Sequence, residues 1–394
     1  MTARAASMPF PARLKTELKL DPVLLALVMA LLLGGFVILA SASTSISDNV
    51  ADNPFFYLQR QLLAAVIGTL AAGVCLFVPM QVWRNLGPLM LLLGLALLVV
   101  VLVPGIGYEV NGARRWLRVG IMNLQVSEPA RLCFLMYLAG YLVRRRKTLR
   151  EEFVGFLRPM LVLTLACYLL LEEPDFGAAI VLLATALVML FVAGARIRDF
   201  VVFFSVAVAA MVALAITSPY RMKRLTGFLD PWSDPYESGF QLTQSLIAIG
   251  RGEWLGVGLG ESVQKLFYLP EAHTDFVFAV FAEEFGLLGS LVLIALFMAL
   301  LWRIFRLAIR AHDAERFFEA YLAIGVGTWL GLQSFINIGV NMGLLPTKGL
   351  TLPLISYGRS SLIVTMICVG LLLRVHHELV VDARPVNRKR GRRK

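Results

Sequence analysis

Residues 22–43 form the stretch PVLLALVMALLLGGFVILASAS, which contains no charged side chain. A helix that crosses a bilayer needs about 20 consecutive apolar residues. Nine further apolar stretches follow, all too long and too continuous for the strands of a membrane barrel. The sequence therefore predicts an all-α polytopic membrane protein, a bundle of about ten transmembrane helices. The ten stretches lie near 22–43, 61–80, 85–105, 127–143, 156–171, 176–195, 199–217, 276–302, 317–342 and 358–378.

The composition agrees with this fold class. Of the 394 residues, 58% are hydrophobic and 16% are charged, against roughly 25% charged in an average soluble domain. That balance excludes a disordered chain, a secreted disulfide scaffold and most soluble enzymes. The four cysteines lie inside apolar stretches without CxxC spacing, so we interpret them as core residues and not as metal ligands.

Lysine and arginine are unevenly divided between alternate loops. With the N-terminus in the cytoplasm, that side carries 25 of the 37 basic residues and the opposite face carries 12. Basic residues accumulate on the cytoplasmic side, so both termini are predicted to be cytoplasmic. The predicted organisation is a tail over 1–21, a membrane domain over 22–378 that includes a large outer loop over 218–275, and a basic tail over 379–394.

The two ends of the chain allow alternative interpretations. The first apolar stretch could be a cleaved signal peptide, but it exceeds the 7–15 apolar residues of such a segment, which favours a retained helix. Residues 384–394 contain seven basic residues. They could bind nucleic acid, but an anchor on anionic lipid is the simpler interpretation, and no nucleic-acid partner is expected.

The outer segment 106–126 contains the sequence NGARRWLRVG over 111–120. Its arginines surround a tryptophan at the expected water interface, which is typical of an interfacial helix. The positive-inside rule does not explain arginines on the outer face, however. Arg114 and Arg115 are therefore equally good candidates for an anion site, because guanidinium groups match phosphate oxygens.

Charged residues also lie at the outer ends of two predicted spans. Glu128 and Arg131, in SEPAR over 127–131, are spaced to form an ion pair, and Ser127 is a candidate helix cap. Charges at span ends are costly and often functional. The acidic turn 172–175, which includes Asp175, is either a solvated connector or part of a site.

Asp275 is the acid that we single out, at the end of LPEAHTD over 269–275. The simplest interpretation is that Asp275 or Thr274 caps the helix that follows. Deeper in that helix, Glu283 and Glu284 lie on different faces, so one of them is expected to pair inside the bundle. The glycines of LGVGLG over 255–260 predict a turn and not a dinucleotide site, because no βαβ unit surrounds them.

The last outer loop, 343–358, is rich in glycine and proline, which predicts a shaped connector with buried backbone. It carries Lys348 as an outward cation and ends in ISYGRSS over 355–361.

The motifs NGARRWLRVG, SEPAR, EEPDFGAA, LPEAHTDFVFAVFAEEFG and PTKGLTLPLISYG together resemble the SEDS family (shape, elongation, division and sporulation). The similarity covers nearly the whole chain, and the lysine in PTKGLTLPL resembles the cell-division branch typified by FtsW more than the elongation branch typified by RodA. Two positions depart from the family pattern: Arg359 replaces a glycine, and Arg131 replaces a lysine.

The resemblance implies a peptidoglycan glycosyltransferase of the bacterial inner membrane that polymerises lipid II at the division septum. The reaction would invert MurNAc C1, with undecaprenyl pyrophosphate as the leaving group and Asp275 as the general base. The implied partners are lipid II, a single-span penicillin-binding transpeptidase and other division proteins. A divalent cation, Mg²⁺ or Mn²⁺, is a possible cofactor, and its ligands are unknown. The implied substrate-binding residues are Arg114, Arg115, Glu128, Arg131, Asp175, Lys348 and Ser356.

Three other functions are compatible with a ten-span bundle. A lipid II flippase would carry functional charges at the midplane and in repeat halves, which the sequence lacks. An elongation polymerase would differ mainly in the loop around Lys348. A non-catalytic division scaffold would be inactive with lipid II even in the presence of every partner.

Overall fold

A computed structural model describes residues 18–110, 112–120, 122–216, 230–234, 239–347 and 349–382. Within these residues, ten long helices coincide with the ten predicted apolar stretches. They are α1 (Pro22–Ala51), α2 (Phe56–Phe77), α3 (Met80–Leu102), α4 (Ser127–Arg144), α6 (Phe153–Glu172), α7 (Phe176–Val192), α8 (Ile197–Ile216), α10 (Val277–Asp313), α11 (Phe317–Asn341) and α12 (Arg359–Asp382). Two shorter helices, α5 (Arg146–Glu151) and α9 (Phe240–Arg251), complete the helical part.

Seven of the described helices are long and apolar enough to cross a membrane, and α7 is a shorter apolar helix. Large apolar side chains on α1, α2 and α3 point outward, for example Leu33, Leu70 and Leu92. A soluble protein would bury such side chains, whereas lipid covers them in a bilayer. The all-α prediction is confirmed, and the chain is a multi-pass membrane protein.

A small antiparallel sheet, which the sequence did not predict, joins α3 to α4. Its strands are β1 (Gly107–Val110), β2 (Ala113–Val119) and β3 (Met122–Gln125), in the order β1-β2-β3. The prediction of an interfacial helix over 106–126 is therefore wrong. The pairing of β1 with β2 shifts register at Arg115, which has no partner on β1, so this arginine is the extra residue of a β-bulge.

Helix α12 lies inside the bundle and packs most closely against α2. A side chain at Gly370 would meet the backbone of Ala72 at 2.5 Å, so glycine allows the two helices to approach. In the loop 343–358, Leu344 is 64% exposed, whereas residues 352–356 are buried in the protein, as predicted for this connector, and they pack against α1. There Gly35 leaves room for the carbonyl of Leu354, which a Cβ atom would meet at 2.3 Å.

Helix α10 is interrupted at Gly286, which has φ 65° and ψ −163°. Backbone of the preceding loop fills the interruption: Val257 N donates to Glu283 O at 3.0 Å and Gly258 N donates to Glu284 O at 3.1 Å. The glycines of 255–260 therefore form turns, as predicted, and they lie against a transmembrane helix.

Candidate active site

Asp275 lies in a tight turn just before α10. The turn is closed by Glu271 O, which accepts hydrogen bonds from Thr274 N at 3.1 Å and from Phe276 N at 3.2 Å. Phe276 occupies the N-cap position of α10 and no side chain caps the helix. The prediction that Thr274 or Asp275 caps this helix is therefore wrong, so capping does not explain the presence of Asp275.

Two asparagines of α11 hold the backbone of Asp275. Asn337 Nδ2 and Asn341 Nδ2 donate to Asp275 O at 2.9 Å and 3.0 Å, and Asn341 Oδ1 accepts from Ala279 N at 3.1 Å. Sequence reasoning missed both residues. The available signal was the spacing of Gln333, Asn337 and Asn341, which places three amides four residues apart on one face of an apolar helix.

The Asp275 carboxylate is held in an environment that disfavours its charge. Burial, with help from the nearby charges of Glu271 and Asp175, raises the pKa of Asp275 to about 7, and Arg115 only partly offsets the rise. Within the described residues no hydrogen bond to this carboxylate is found. Gly349 leaves space beside it, because a Cβ atom there would lie 3.1 Å from Asp275 Oδ2. The result is an acid whose pKa lies near neutral pH.

Arg115 is the cation of this cluster. Its Nε donates to Glu173 O at 3.0 Å and its Nη2 donates to Pro174 O at 2.6 Å. Its neighbour Arg114, which lies opposite Glu109 in the sheet, instead forms an ion pair with that residue at 3.3 Å and has a side chain 42% exposed. Of the two arginines predicted to bind substrate, the structure brings only Arg115 close to Asp275.

The acidic turn between α6 and α7 is only partly solvated, because Glu173 and Asp175 are buried whereas Glu172 and Pro174 are exposed, so it is not simply a solvated connector. Asp175 caps α7 by accepting from Ala178 N at 3.1 Å. Both carboxyl oxygens of Glu173 are buried without a partner among the described residues. Burial and the neighbouring Asp175 raise the pKa of Glu173 to about 8, despite Arg115 nearby. Asp175, predicted to contact substrate, is 3% exposed and thus acts on the site through its field.

Glu128 and Arg131 form the predicted ion pair, but in the protein interior, where each is 3% exposed. Arg131 Nη1 also donates to Gln333 Oε1 at 3.2 Å, and Gln333 Nε2 donates to Thr351 O at 2.9 Å. The guanidinium is bonded to protein partners, whereas Glu128 Oε2 has none among the described residues, and contact of either residue with substrate stays a prediction. Through Gln333, Arg131 connects α4 to the loop 343–358. Ser127 does not cap α4, whose N-cap is Val126, and the Ser127 hydroxyl has no described partner.

Ser356 is likewise a structural residue of the loop. It is 4% exposed, its Oγ accepts from Leu352 N at 2.9 Å, and its carbonyl accepts from Gln61 Nε2 at 3.1 Å. Its contact with substrate stays a prediction. Lys348 lies outside the described residues. Arg359 begins α12 and is not among the residues with positive φ, so this position does not require glycine.

The described residues contain no group of three His, Cys, Asp or Glu side chains that could hold a metal ion. A divalent cation as cofactor stays a prediction. The described cation that acts on Asp275 is the guanidinium group of Arg115.

The chain matches the family model for FtsW, RodA and SpoVE, described as cell cycle protein, over residues 22–380. It is 57% identical over 362 residues to a probable peptidoglycan glycosyltransferase FtsW of Thioalkalivibrio sulfidiphilus, covering 92% of this chain and 90% of that protein. A protein of Legionella pneumophila with the same description is 49% identical over 358 residues, covering 91% of each chain.

Solved structures share the fold. A chain from a peptidoglycan synthase complex, described as coordinating polymerization and crosslinking, superposes with a TM-score of 0.74 and 33% identity over 92% of this chain and 99% of that chain. The Thermus thermophilus rod shape determining protein RodA gives a TM-score of 0.68 and 33% identity, over 92% of this chain and 98% of that chain.

Proposed function

We propose that this chain, which belongs to the FtsW, RodA and SpoVE family of cell cycle proteins and is an FtsW-like peptidoglycan glycosyltransferase, uses Asp275 as its general base. The observation that carries the proposal is the environment of this carboxylate. It has no described hydrogen-bond partner, it does not cap α10, and its pKa is raised to about 7. A general base works best when its pKa lies near the working pH.

The proposed substrate is lipid II, a disaccharide-peptide carried on undecaprenyl pyrophosphate. The 4-hydroxyl of GlcNAc in one chain attacks C1 of MurNAc in another and gives its proton to Asp275. The new glycosidic bond forms as the bond from C1 to the pyrophosphate oxygen breaks, with inversion at C1. The leaving group departs as a pyrophosphate anion, which needs neutralisation of charge and no proton donor.

Arg115 supplies that neutralisation in our proposal, because it is the described cation nearest to Asp275 and its side chain is only partly buried. Lys348 is proposed as a second cation, since its neighbour Gly349 lies against the carboxylate. Arg114 is proposed as an outer contact. Glu128, Arg131, Asp175 and Ser356 position the surrounding segments.

We further propose that the protein acts in the bacterial inner membrane at the division septum, with both termini cytoplasmic and the Asp275 site facing outward. The excess of basic residues at the opposite ends of the helices supports this orientation. The proposed partner is a single-span penicillin-binding transpeptidase, along with other division proteins. Its support is the structural likeness to a chain from a complex described as coordinating polymerization and crosslinking.

The test is polymerisation of labelled lipid II by the purified protein and its transpeptidase, the latter without its active serine. Wild type should make glycan chains, and folded Asp275→Asn and Asp275→Ala variants should not. Polymerisation by the variants at the wild-type rate would refute the role of Asp275. Inactivity of wild type with all partners present would favour a flippase or a scaffold.

A further inference from the structure

The charge-free segment of helix α10 indicates where the hydrocarbon core of the membrane lies along this helix. Between Glu284 and Arg303 it has 18 residues without a charge, 285–302. At 1.5 Å per residue this segment is about 27 Å long, close to the roughly 30 Å of a hydrocarbon core. One boundary of the hydrocarbon therefore lies near Glu284 and Gly286, on the side of the Asp275 site.

The loop 253–258 is joined to α10 at this depth. The interruption of the helix at Gly286 frees backbone groups on both sides, and the loop pairs with them. A side chain at Gly256 would meet Glu284 O at 2.1 Å, so the two backbones are in direct contact. Four hydrogen bonds join the segments: Val257 N to Glu283 O at 3.0 Å, Gly258 N to Glu284 O at 3.1 Å, Leu287 N to Glu253 O at 2.9 Å and Leu288 N to Trp254 O at 3.1 Å.

Two buried glutamates of α10 hold the next part of the loop. Glu283 accepts from Ser262 Oγ at 2.5 Å and from Val263 N at 3.1 Å. Glu284 accepts from Lys265 Nζ at 2.9 Å. Both glutamates pair inside the protein, whereas the sequence predicted this for only one of them. Because both halves of the loop are tied to the helix, the loop cannot leave this depth without losing these bonds.

The loop nevertheless presents apolar side chains outward. Trp254 is 68% exposed and Leu255 is 77% exposed. The next turns of α10 continue the same apolar surface, with Leu288 49% exposed and Val292 62% exposed. Contiguous exposed apolar surface marks an interaction site. Its continuity with the charge-free segment of α10 identifies the occupant as lipid, and tryptophan is typical of the membrane interface.

We propose that the loop 254–259 is a membrane anchor, which inserts Trp254 and Leu255 among the phospholipid acyl chains of the leaflet on the Asp275 side. The same loop continues through Lys265 to the turn that carries Asp275. Insertion thereby sets the depth of the site relative to the bilayer. If the proposed function is correct, this depth places Asp275 at the level of the lipid II pyrophosphate, which its lipid chain holds at the membrane interface.

The experiment measures the depth of spin labels in the full-length protein. Trp254→Cys and Leu255→Cys variants are labelled with a nitroxide and reconstituted in vesicles of phosphatidylcholine and phosphatidylglycerol that contain no polyprenyl lipid. Collision rates with oxygen, which concentrates in lipid, and with a water-soluble nickel chelate are then compared. Val292→Cys is the lipid-facing reference, and Glu261→Cys, at an exposed charged position of the same loop, is the water-facing control. The unsubstituted protein corrects for the native cysteines, of which three are buried.

The expected ratio of oxygen to nickel collisions at positions 254 and 255 is close to that at 292 and several-fold above that at 261. A ratio equal to that at 261 would place these side chains in water and overturn the proposal. Protection from both reagents would also overturn it, because the surface would then be covered by protein, for example by a second copy. The measurement needs no turnover, so its result is independent of the role of Asp275.

Discussion

Replacing Asp275 by asparagine should abolish polymerisation and, at the same time, stabilise the fold above neutral pH. The amide keeps the shape of the side chain but cannot accept the proton of the attacking hydroxyl. It also carries no charge, and the structure shows that the charge at this position is unfavourable. Loss of activity together with a gain of stability is expected for a general base whose charge is destabilised by burial. A residue that supports the fold would instead lose stability when it is replaced.

The magnitude and its pH dependence follow from the pKa of Asp275. The value rises from 3.8 in an unfolded chain to about 7 in the fold. Each unit corresponds to about 1.4 kcal/mol, so ionising Asp275 costs the fold at most about 4 kcal/mol, and its partial exposure to solvent lowers this figure. The native state binds the extra proton, so stability falls as pH rises from about 4 to about 7 and the cost is complete above pH 7. We expect Asp275→Asn to be more stable than wild type by about 1 to 4 kcal/mol at pH 8 and by little at pH 4.

The assay is denaturant-induced unfolding in micelles at pH 4, 6 and 8, with polymerisation of lipid II measured on the same preparations. Glu261→Gln, which removes one exposed negative charge from the loop ahead of Asp275, is the matched control and should show neither effect. A stability difference that does not grow between pH 4 and pH 8, or an Asp275→Asn variant that polymerises, would refute the reasoning.

Three further outcomes follow from individual contacts. Arg115→Gln removes the cation that lowers the pKa of the base, so the midpoint of the pH–rate profile of polymerisation should move to higher pH, whereas Arg114→Gln, at a residue paired with Glu109, should leave the midpoint unchanged. Asn337→Ala removes the donor to the buried carbonyl of Leu350 and leaves that of Asp275 with Asn341 alone, so it should cost about 1 to 3 kcal/mol in unfolding free energy, with a lower polymerisation rate. Gly35→Ala places a methyl group 2.3 Å from a backbone oxygen of the loop 343–358 and should lower thermal stability and activity, while Gly34→Ala, with nothing within 4 Å, should be neutral in the same assays.

The ten helices were predictable because a membrane span needs only length and apolarity, both of which are local properties of the sequence. The sheet over 107–125 was not, since its strands are short and its arginines and tryptophan suit an interfacial helix equally well. That error had a direct consequence for the site. Without the strand and its bulge at Arg115, Arg114 and Arg115 could not be distinguished, and only Arg115 acts on the charge of Asp275.

Other parts of the site depend on contacts between distant segments. Nothing local to the turn 172–175 indicates that Glu173 and Asp175 are buried or that the Glu173 carboxyl lacks a described partner. The burial of Arg131 and Ser356 is likewise a property of the packed bundle. Asn337 and Asn341 are different, because their spacing was visible in the sequence. These amides are uncharged and lie within an apolar helix, away from the charged span ends that indicate a site.

The arrangement also suggests how substrate would affect the strength of the base. At rest Arg115 is the charge that partly offsets the rise in the pKa of Asp275, while Glu271 and Asp175 act in the opposite direction. A pyrophosphate group bound at Arg115 would cancel that cation and bring further negative charge close to the carboxylate. Both changes raise the proton affinity of Asp275. The base would therefore be strongest when the leaving group is in place, and weaker when the site is empty. This coupling requires Asp275 and Arg115 to stay at a fixed separation. Asn337 and Asn341 of α11 fix the backbone of Asp275. The carbonyl groups of Glu173 and Pro174 fix the guanidinium of Arg115.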